Sequence, residues 1–243
     1  MQETFLSIVI PAYNEEHRLP GSLKAILDYL GRQSYTAEVI VADDGSADGT
    51  AKAAEAFAGG ATPVRVLRLA HRGKGHAVKK GMLAAKGQWR FQCDADLAIP
   101  IEQAARFLPP ALTDAEIGVG SREAPGAKRY NEPWHRHAMG RIFNGVIRLT
   151  AVPKVQDTQC GFKIYKGEAA ERLFTLQRLD GFAFDVEILY LARKMKLRMK
   201  DVAIDWRHNR DSRIRAVHDT LGMLSDIARI RWSSLRGRYR IKG

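Results

Sequence analysis

Four times in the first 97 residues a short apolar run breaks off into a polar loop, and after the first three a helical pattern follows. That rhythm leaves few folds open. It is the strand–helix–strand repeat of a mostly parallel, doubly wound α/β sheet with helices on both faces. Phe5–Ile10 reads as a buried strand closed by Pro11, followed by Ala12-Tyr13-Asn14-Glu15-Glu16. A helix then places Leu23, Ile26, Leu27 and Leu30 at i, i+3, i+4, i+7. Glu38–Ala42 is a second strand, ending in Asp43-Asp44-Gly45-Ser46, and Asp48-Gly49-Thr50 opens an Ala-rich helix. Val64–Leu69 is a third, followed by Arg72-Gly73-Lys74-Gly75 and a helix through Val78, Met82 and Ala85. The fourth, Trp89-Arg90-Phe91-Gln92-Cys93, delivers Asp94-Ala95-Asp96.

Sheets of this kind bind ligands beyond the carboxyl ends of their strands. The loops Tyr13-Asn14-Glu15, Asp43-Asp44, Arg72–Gly75 and Asp94–Asp96 therefore gather on one edge. Each alone fits ordinary turn chemistry, and Asp43-Asp44-Gly45 also fits a turn with a helix cap. Four together make a site. Two carboxylates about 4 Å apart repel by roughly 4 kcal/mol at an effective dielectric near 20. A divalent cation reverses that sign, and hard oxygen ligands suit Mg2+ or Mn2+, ions that commonly accompany phosphates. The glycines do not form a dinucleotide or P-loop motif. Gly73-Lys74-Gly75-His76 lacks the Ser/Thr and leading glycine of a Walker loop, and no Gly-x-Gly-x-x-Gly follows the first strand.

The second half opens with a strand, Glu116–Arg122, ending on an arginine. Ala124–Pro133, rich in Gly, Pro and charge, reads as a mobile loop. Trp134–Thr150 reads as a helix with Met139, Ile142, Phe143, Val146 and Ile147 on one face and Arg141 and Arg148 on another. It fits either a packed core helix or a lip facing lipid. A helix follows around Phe184–Leu189, where Asp185 and Glu187 fit a solvated or paired face, and then a strand, Asp201–Trp206. The last helix carries Val217, Leu221, Leu224, Ala228, Trp232 and Leu235 on one stripe. His71, His76, His135 and His137 lack metal-ligand spacing with a third ligand and receive no role.

The 243 residues, 45% hydrophobic, supply ample core. No run approaches the roughly 18 apolar residues of a membrane span, and no signal peptide is expected at Met1-Gln2-Glu3-Thr4. Cys93 and Cys160 are expected as buried free thiols of a reducing compartment. The net charge of +12 is uneven. Between Arg207 and Gly243, nine arginines and one lysine stand against three aspartates, an excess of seven. Anionic partners follow: phosphates or an acidic membrane surface. Missing aromatic stacking repeats argue against a nucleic-acid module.

Ser7–Glu15, Asp43-Asp44-Gly45-Ser46 and Asp94-Ala95-Asp96 together resemble the family 2 glycosyltransferases of GT-A fold. Asp157-Thr158-Gln159-Cys160-Gly161-Phe162-Lys163 and Phe184–Leu189 are similar to the dolichyl-phosphate β-glucosyltransferases and their polyprenyl-phosphate relatives. The resemblance runs from about Phe5 to Trp232. It implies a GT-A domain over 1–232, with a nucleotide-sugar half at 1–115 and an acceptor half at 116–215, and a basic amphipathic helix and tail at 216–243. Pro11, Tyr13, Asn14 and Glu15 would line the nucleotide pocket. Asp43 would accept from uracil N3–H with Asp44 nearby, and Lys74 would approach the phosphates. Asp94 and Asp96 would serve the donor and its metal, Mg2+ or Mn2+. Arg122, Ser212, Arg213 and Arg215 would clamp phosphate, and Asp157 stands where the family has an active-site carboxylate, as a catalytic residue beside Asp94 and Asp96 that would orient an arginine or take a residual proton. The implied reaction is inverting transfer of glucose from UDP-glucose to a polyprenyl or dolichyl phosphate. GDP-mannose as donor, a soluble acceptor, or a silent nucleotide-sugar or anionic-surface binder remain alternatives. Without a membrane span, the basic tail with Trp232, Leu235 and Tyr239 is expected to attach reversibly to anionic lipid, on the cytoplasmic face.

Overall fold

The computed structural model describes residues 3–131, 133, 145, 147, 152, 155–208 and 216–240, the side chains of 216–221, 223 and 224 excepted. The first half supplies strands Leu6–Ala12 (β1), Ala37–Asp43 (β2), Val64–Arg68 (β3) and Trp89–Gln92 (β4). The second supplies Ile117–Ser121 (β5), Lys128–Tyr130 (β6), Lys163–Lys166 (β7), Met199–Ala203 (β8) and Asp205–Arg207 (β9). Helices Leu19–Leu30 (α1), Thr50–Glu55 (α2), Lys74–Ala84 (α3), Gly167–Leu176 (α4), Phe184–Lys194 (α5) and Ala216–Leu235 (α6) surround them, with a 3-10 helix at Ile101–Phe107. The main sheet has the order β3-β2-β1-β4-β7-β5-β8, and β6 and β9 form a separate pair. Only β7 runs against its two neighbours.

β1 and β2 carry apolar residues on both faces because both faces of the sheet are covered; all seven residues of β1 are buried, and the Ser7 hydroxyl is satisfied by donating to Glu38 of β2. Leu6, Ile8 and Ile10 point to the side of α1, with Phe91, Phe107 and Phe162. Val9 and Ile40 point to the other, with Val78 and Met82 of α3 and Phe184 and Ile188 of α5. The three phenylalanines meet edge to face at centroid distances of 5.6, 4.5 and 5.3 Å, an arrangement aromatic quadrupoles favour. Truncating Phe91 to alanine removes a fully buried ring from this cluster, a loss of about 3–5 kcal/mol.

Several elements differ from expectation, each for a physical reason. β1 continues through Pro11 to Ala12, paired with Ala42 and Asp43. The proline fits because Val9 and Pro11 face the β4 side, and β4 ends at Gln92 opposite Val9, leaving no ladder bond there for a missing N–H to break. The expected loop 124–133 contains β6, which pairs in parallel with β9. The expected strand at 201–206 is two strands in two sheets. Ile204 is the crossing point: its N–H donates to Ser121 O at 3.3 Å, and its carbonyl accepts from Lys128 N at 3.0 Å. The helix expected at 134–150 lies almost wholly outside the described residues; Gly145 and Ile147 are helical, with Ile147 buried. In α6 the face packed on the protein carries Ile227 and Ile230. Ala228, Trp232 and Leu235 of the expected stripe turn outward, while the side chains of Val217, Leu221 and Leu224 lie outside the described residues. Tyr239, expected at a membrane, is 3% exposed, its hydroxyl donating to Glu187 at 2.5 Å. Cys93 and Cys160 are buried free thiols.

Candidate active site

The parallel strands β1 to β5 end on one edge, and the antiparallel β7 begins there. Residues after β1–β5 therefore meet residues before β7, which brings Asp157, Cys160 and Gly161 to the edge.

At the β1 and β2 ends the loops knit to each other. Asn14, at φ 53°, donates its N–H to Ser46 Oγ at 2.9 Å and accepts from Ala47 N with its side-chain oxygen at 2.9 Å. Glu15 donates its N–H to Thr50 Oγ1 at 2.7 Å, and Arg18 grips its carboxylate at 2.7 and 2.8 Å. Asp43 accepts from the N–H and hydroxyl of Ser46. Asp44, 3% exposed, accepts from Arg72 N at 3.1 Å and Gly73 N at 2.8 Å, and its Oδ2 lies 2.8 Å from His71 Nδ1. The His71 ring in turn stacks on Tyr13, with centroids 4.2 Å apart and planes 18° apart. Asp44 thus braces an exposed aromatic ledge. His71 was invisible to motif reasoning, since its partners are 27 and 58 residues away.

Lys74 opens α3 and lies 2.7 Å from Asp94 Oδ1. Burial opposes its charge, but Asp94, Asp185 and Asp96 outweigh that and hold its pKa above the usual lysine range. That lysine stays a cation. The Asp94 carboxylate rests directly on Gly161, where an added Cβ would fall 2.0 Å from Oδ2, so any side chain here would push that carboxylate aside. Asp96 accepts from Ala98 N at 3.1 Å across a turn that holds Leu97 at φ 44°, a conformation non-glycine residues rarely adopt. Burial, and then the Asp94 charge, push the Asp96 carboxyl up. Ala98 O accepts from Arg207 N at 2.9 Å, tying β9 to this turn.

Arg122 follows β5. Its Nε donates to Asp157 Oδ2 at 2.6 Å and its terminal nitrogen to Oδ1 at 2.9 Å, while its backbone N–H adds a third bond at 3.1 Å. The guanidinium lies over the Trp206 ring at 5.3 Å. Asp157 is fully buried. Burial alone would raise its carboxyl, but the Arg122 charge and hydrogen bonds override that and hold it below the usual range. With both oxygens committed to one guanidinium, Asp157 orients the arginine. Ser212, Arg213 and Arg215 lie outside the described residues. Pro11 is placed within β1, one residue short of the loops.

Among the described residues no three His, Cys, Asp or Glu side chains group into a metal cage. Asp94 and Asp96 still fit a cation of the Mg2+ class: two hard carboxylates, with burial first and their mutual charge second pushing the Asp96 carboxyl up, a repulsion a divalent ion would relieve. Such an ion takes the rest of its octahedron from phosphate and water.

The family model "Glycosyl transferase family 2" matches residues 7–174. A dolichyl-phosphate beta-glucosyltransferase of Drosophila melanogaster is 39% identical over 97% of this chain and 77% of its own length. The Homo sapiens protein of that name is 34% identical over 98% and 78%. Among solved structures, mannosyl-3-phosphoglycerate synthase from Rubrobacter xylanophilus superposes with a TM-score of 0.68 at 19% identity, covering 99% of this chain and 76% of that one. Glucosyl-3-phosphoglycerate synthase from Mycobacterium tuberculosis with UDP gives 0.66 at 20% identity, covering 99% and 82%; these two share the fold. The chain belongs to glycosyl transferase family 2, as a glycosyltransferase related to the dolichyl-phosphate β-glucosyltransferases.

Proposed function

We infer that the protein moves glucose, with inversion, from UDP-glucose onto the phosphate of a polyprenyl or dolichyl phosphate. The observation that carries this reading is one strand edge presenting two kinds of anion site: the Lys74–Asp94–Asp96 group, and an arginine locked in place by Asp157. Relatives named for dolichyl phosphate support the acceptor. A glucosyl-3-phosphoglycerate synthase crystallised with Mn2+ and UDP-glucose supports the donor and the metal. In this reading residues 1–115 form the donor half and 116–215 the acceptor half.

An acceptor phosphate oxygen forms a bond to the anomeric carbon, and the bond from that carbon to the β-phosphate oxygen of UDP breaks. Negative charge grows on the diphosphate as it leaves. Lys74 meets that charge with a fixed cation that needs no reorganisation. Asp94 and Asp96 would hold Mg2+ or Mn2+, which neutralises diphosphate oxygens when bound. The Tyr13–His71 ledge and Asp43 would receive the base. A phosphate monoester is largely dianionic at neutral pH, so the nucleophile needs no strong base. It needs a cation that overcomes repulsion from the donor, and Arg122 is oriented for that task. Asp157 therefore acts as a positioning residue.

No described helix is long and apolar enough to cross a membrane. For reversible attachment to the cytoplasmic face, where charged UDP-glucose meets a lipid acceptor, the supporting feature is the outer face of α6. Trp232 and Leu235 are 54% and 81% exposed, with Arg229, Arg231, Arg236, Arg238 and Arg240 exposed around them.

The test is nucleotide release in a donor screen with and without short polyprenyl phosphate. UDP release from UDP-glucose should require both that acceptor and Mg2+ or Mn2+. Faster release from GDP-mannose, or release driven equally by a soluble phosphomonoester, would overturn the assignment.

A further inference from the structure

Beneath the donor site lies a buried ion pair that the mechanism above does not use. Lys163 of β7 is fully buried, its Nζ 2.6 Å from Asp185 Oδ1 in the first turn of α5. The same Nζ donates to Cys160 O at 2.5 Å. Replacing a buried pair by apolar side chains of similar volume is often neutral or stabilising, so such a pair is weak evidence of a contribution to stability. Its surroundings also lack the full hydrogen bonding of a stability-optimised network: Gln92 Oε1 and the Tyr165 hydroxyl, both on this face, are buried with no hydrogen-bond partner.

The pair's contacts lead to Asp94 from two directions. The Lys163–Cys160 bond draws in the turn before β7, and the next residue, Gly161, is the surface on which the Asp94 carboxylate rests. From the other side Asp185 acts through charge on Lys74, which is itself in contact with Asp94. Gln92, two residues before Asp94, stands opposite Lys163 in the sheet and reaches Asp185 at 3.5 Å. Lys74, Asp94, the Cys160–Gly161 turn, Lys163 and Asp185 thus form a chain of contacts, and the Asp185 charge also bears on Lys74 at its other end.

We propose that Lys163 and Asp185 are positioning residues for the donor site, fixing Asp94 and Lys74 where the metal and diphosphate bind. This rests on the reading of Asp94 and Asp96 as the donor's metal–diphosphate site. The chain of contacts sets Asp94 sterically, through Gly161, and Lys74 through its ion pair with Asp94.

The test measures Mn2+ binding in the presence of UDP by electron paramagnetic resonance titration, beside thermal melting and steady-state kinetics. The variants are Lys163→Met/Asp185→Leu and Gly161→Ala, the latter keeping the ion pair intact. The double variant should melt at or above the wild-type temperature, yet bind Mn2+ with UDP about tenfold more weakly. Its kcat should fall at least tenfold with the KM for polyprenyl phosphate unchanged. Gly161→Ala should weaken Mn2+ binding through Asp94 directly, and should the double variant not fold, Asp185→Asn, which keeps the side-chain shape and removes the charge facing Lys163, decides the question by the same Mn2+ and kcat readouts. Wild-type Mn2+ affinity and kcat in whichever ion-pair variant folds would overturn the proposal alone. Wild-type protein that binds no Mn2+ with UDP would overturn the donor-site reading, and the proposal with it.

Discussion

In the function proposed above, Arg122 and Asp157 would concentrate the acceptor-side chemistry into one pair. Removing one partner of a buried pair leaves an uncompensated group, typically at a cost of about 3–5 kcal/mol. Asp157→Asn should therefore lower stability and raise the KM for polyprenyl phosphate about tenfold or more, with the KM for UDP-glucose little changed. Steady-state kinetics with each substrate varied separates the two. The pair also has a pH signature. A carboxyl held below its ordinary value of 3.8 contributes stability above that pH and loses it as pH falls further. The difference in melting temperature between wild type and Asp157→Asn should thus stay constant from pH 8 to 5 and shrink below about pH 4. On the donor side, His71→Ala removes half of the stacked ledge. A base–aromatic stack is worth about 1–3 kcal/mol, so the KM for UDP-glucose should rise roughly fivefold or more at nearly constant kcat. An unchanged KM would remove His71 from the base site.

At the scale of elements, the C-terminal segment is tied into the core by a bond the sequence does not announce. The Tyr239 hydroxyl donates to buried Glu187, which also accepts from the backbone of Arg178 and Leu179. Tyr239→Phe deprives a buried carboxylate of a donor, a loss of about 1–3 kcal/mol. In a chain this long that lowers the melting temperature by several degrees, and calorimetry reads it directly. Strands β1 to β4 and the helices between them were legible because continuous apolar runs and 3.6-residue periodicity are local signals. β6 was not: its three residues acquire strand geometry from β9, 77 positions away. The expected strand at 201–206 hid a sheet switch, because Ile204 bonds two different neighbours and no local pattern encodes that. α6 was legible as a helix but not in orientation. It carries two apolar stripes, and tertiary packing selects Ile227 and Ile230 for the interior.

For the whole molecule, the informative feature of the sequence was composite. Asp43 ends a strand and Tyr13, Asp44, Lys74, Asp94, Asp96 and Arg122 follow strands, so one topology rule brings them to one edge. Asp185 proved paired rather than solvated, but its partner Lys163, like Trp206 and His71, escaped because their roles depend on contacts between distant segments. The outer face of α6 predicts a salt-sensitive encounter with lipid. Vesicles containing anionic lipid should sediment the protein at low salt, and Trp232→Glu/Leu235→Glu should abolish this while leaving melting unchanged; equal sedimentation of both proteins would refute the docking face. The central claim, glucose transfer to a lipid phosphate at a paired-anion site, is tested most directly by following labelled glucose from UDP-glucose into the organic phase. The account predicts labelled lipid formed in equal amount with UDP, dependent on polyprenyl phosphate and on Mg2+ or Mn2+, and reduced about a hundredfold or more in Asp96→Ala. Labelled lipid formed at the wild-type rate by Asp96→Ala, or UDP release without labelled lipid, would contradict it.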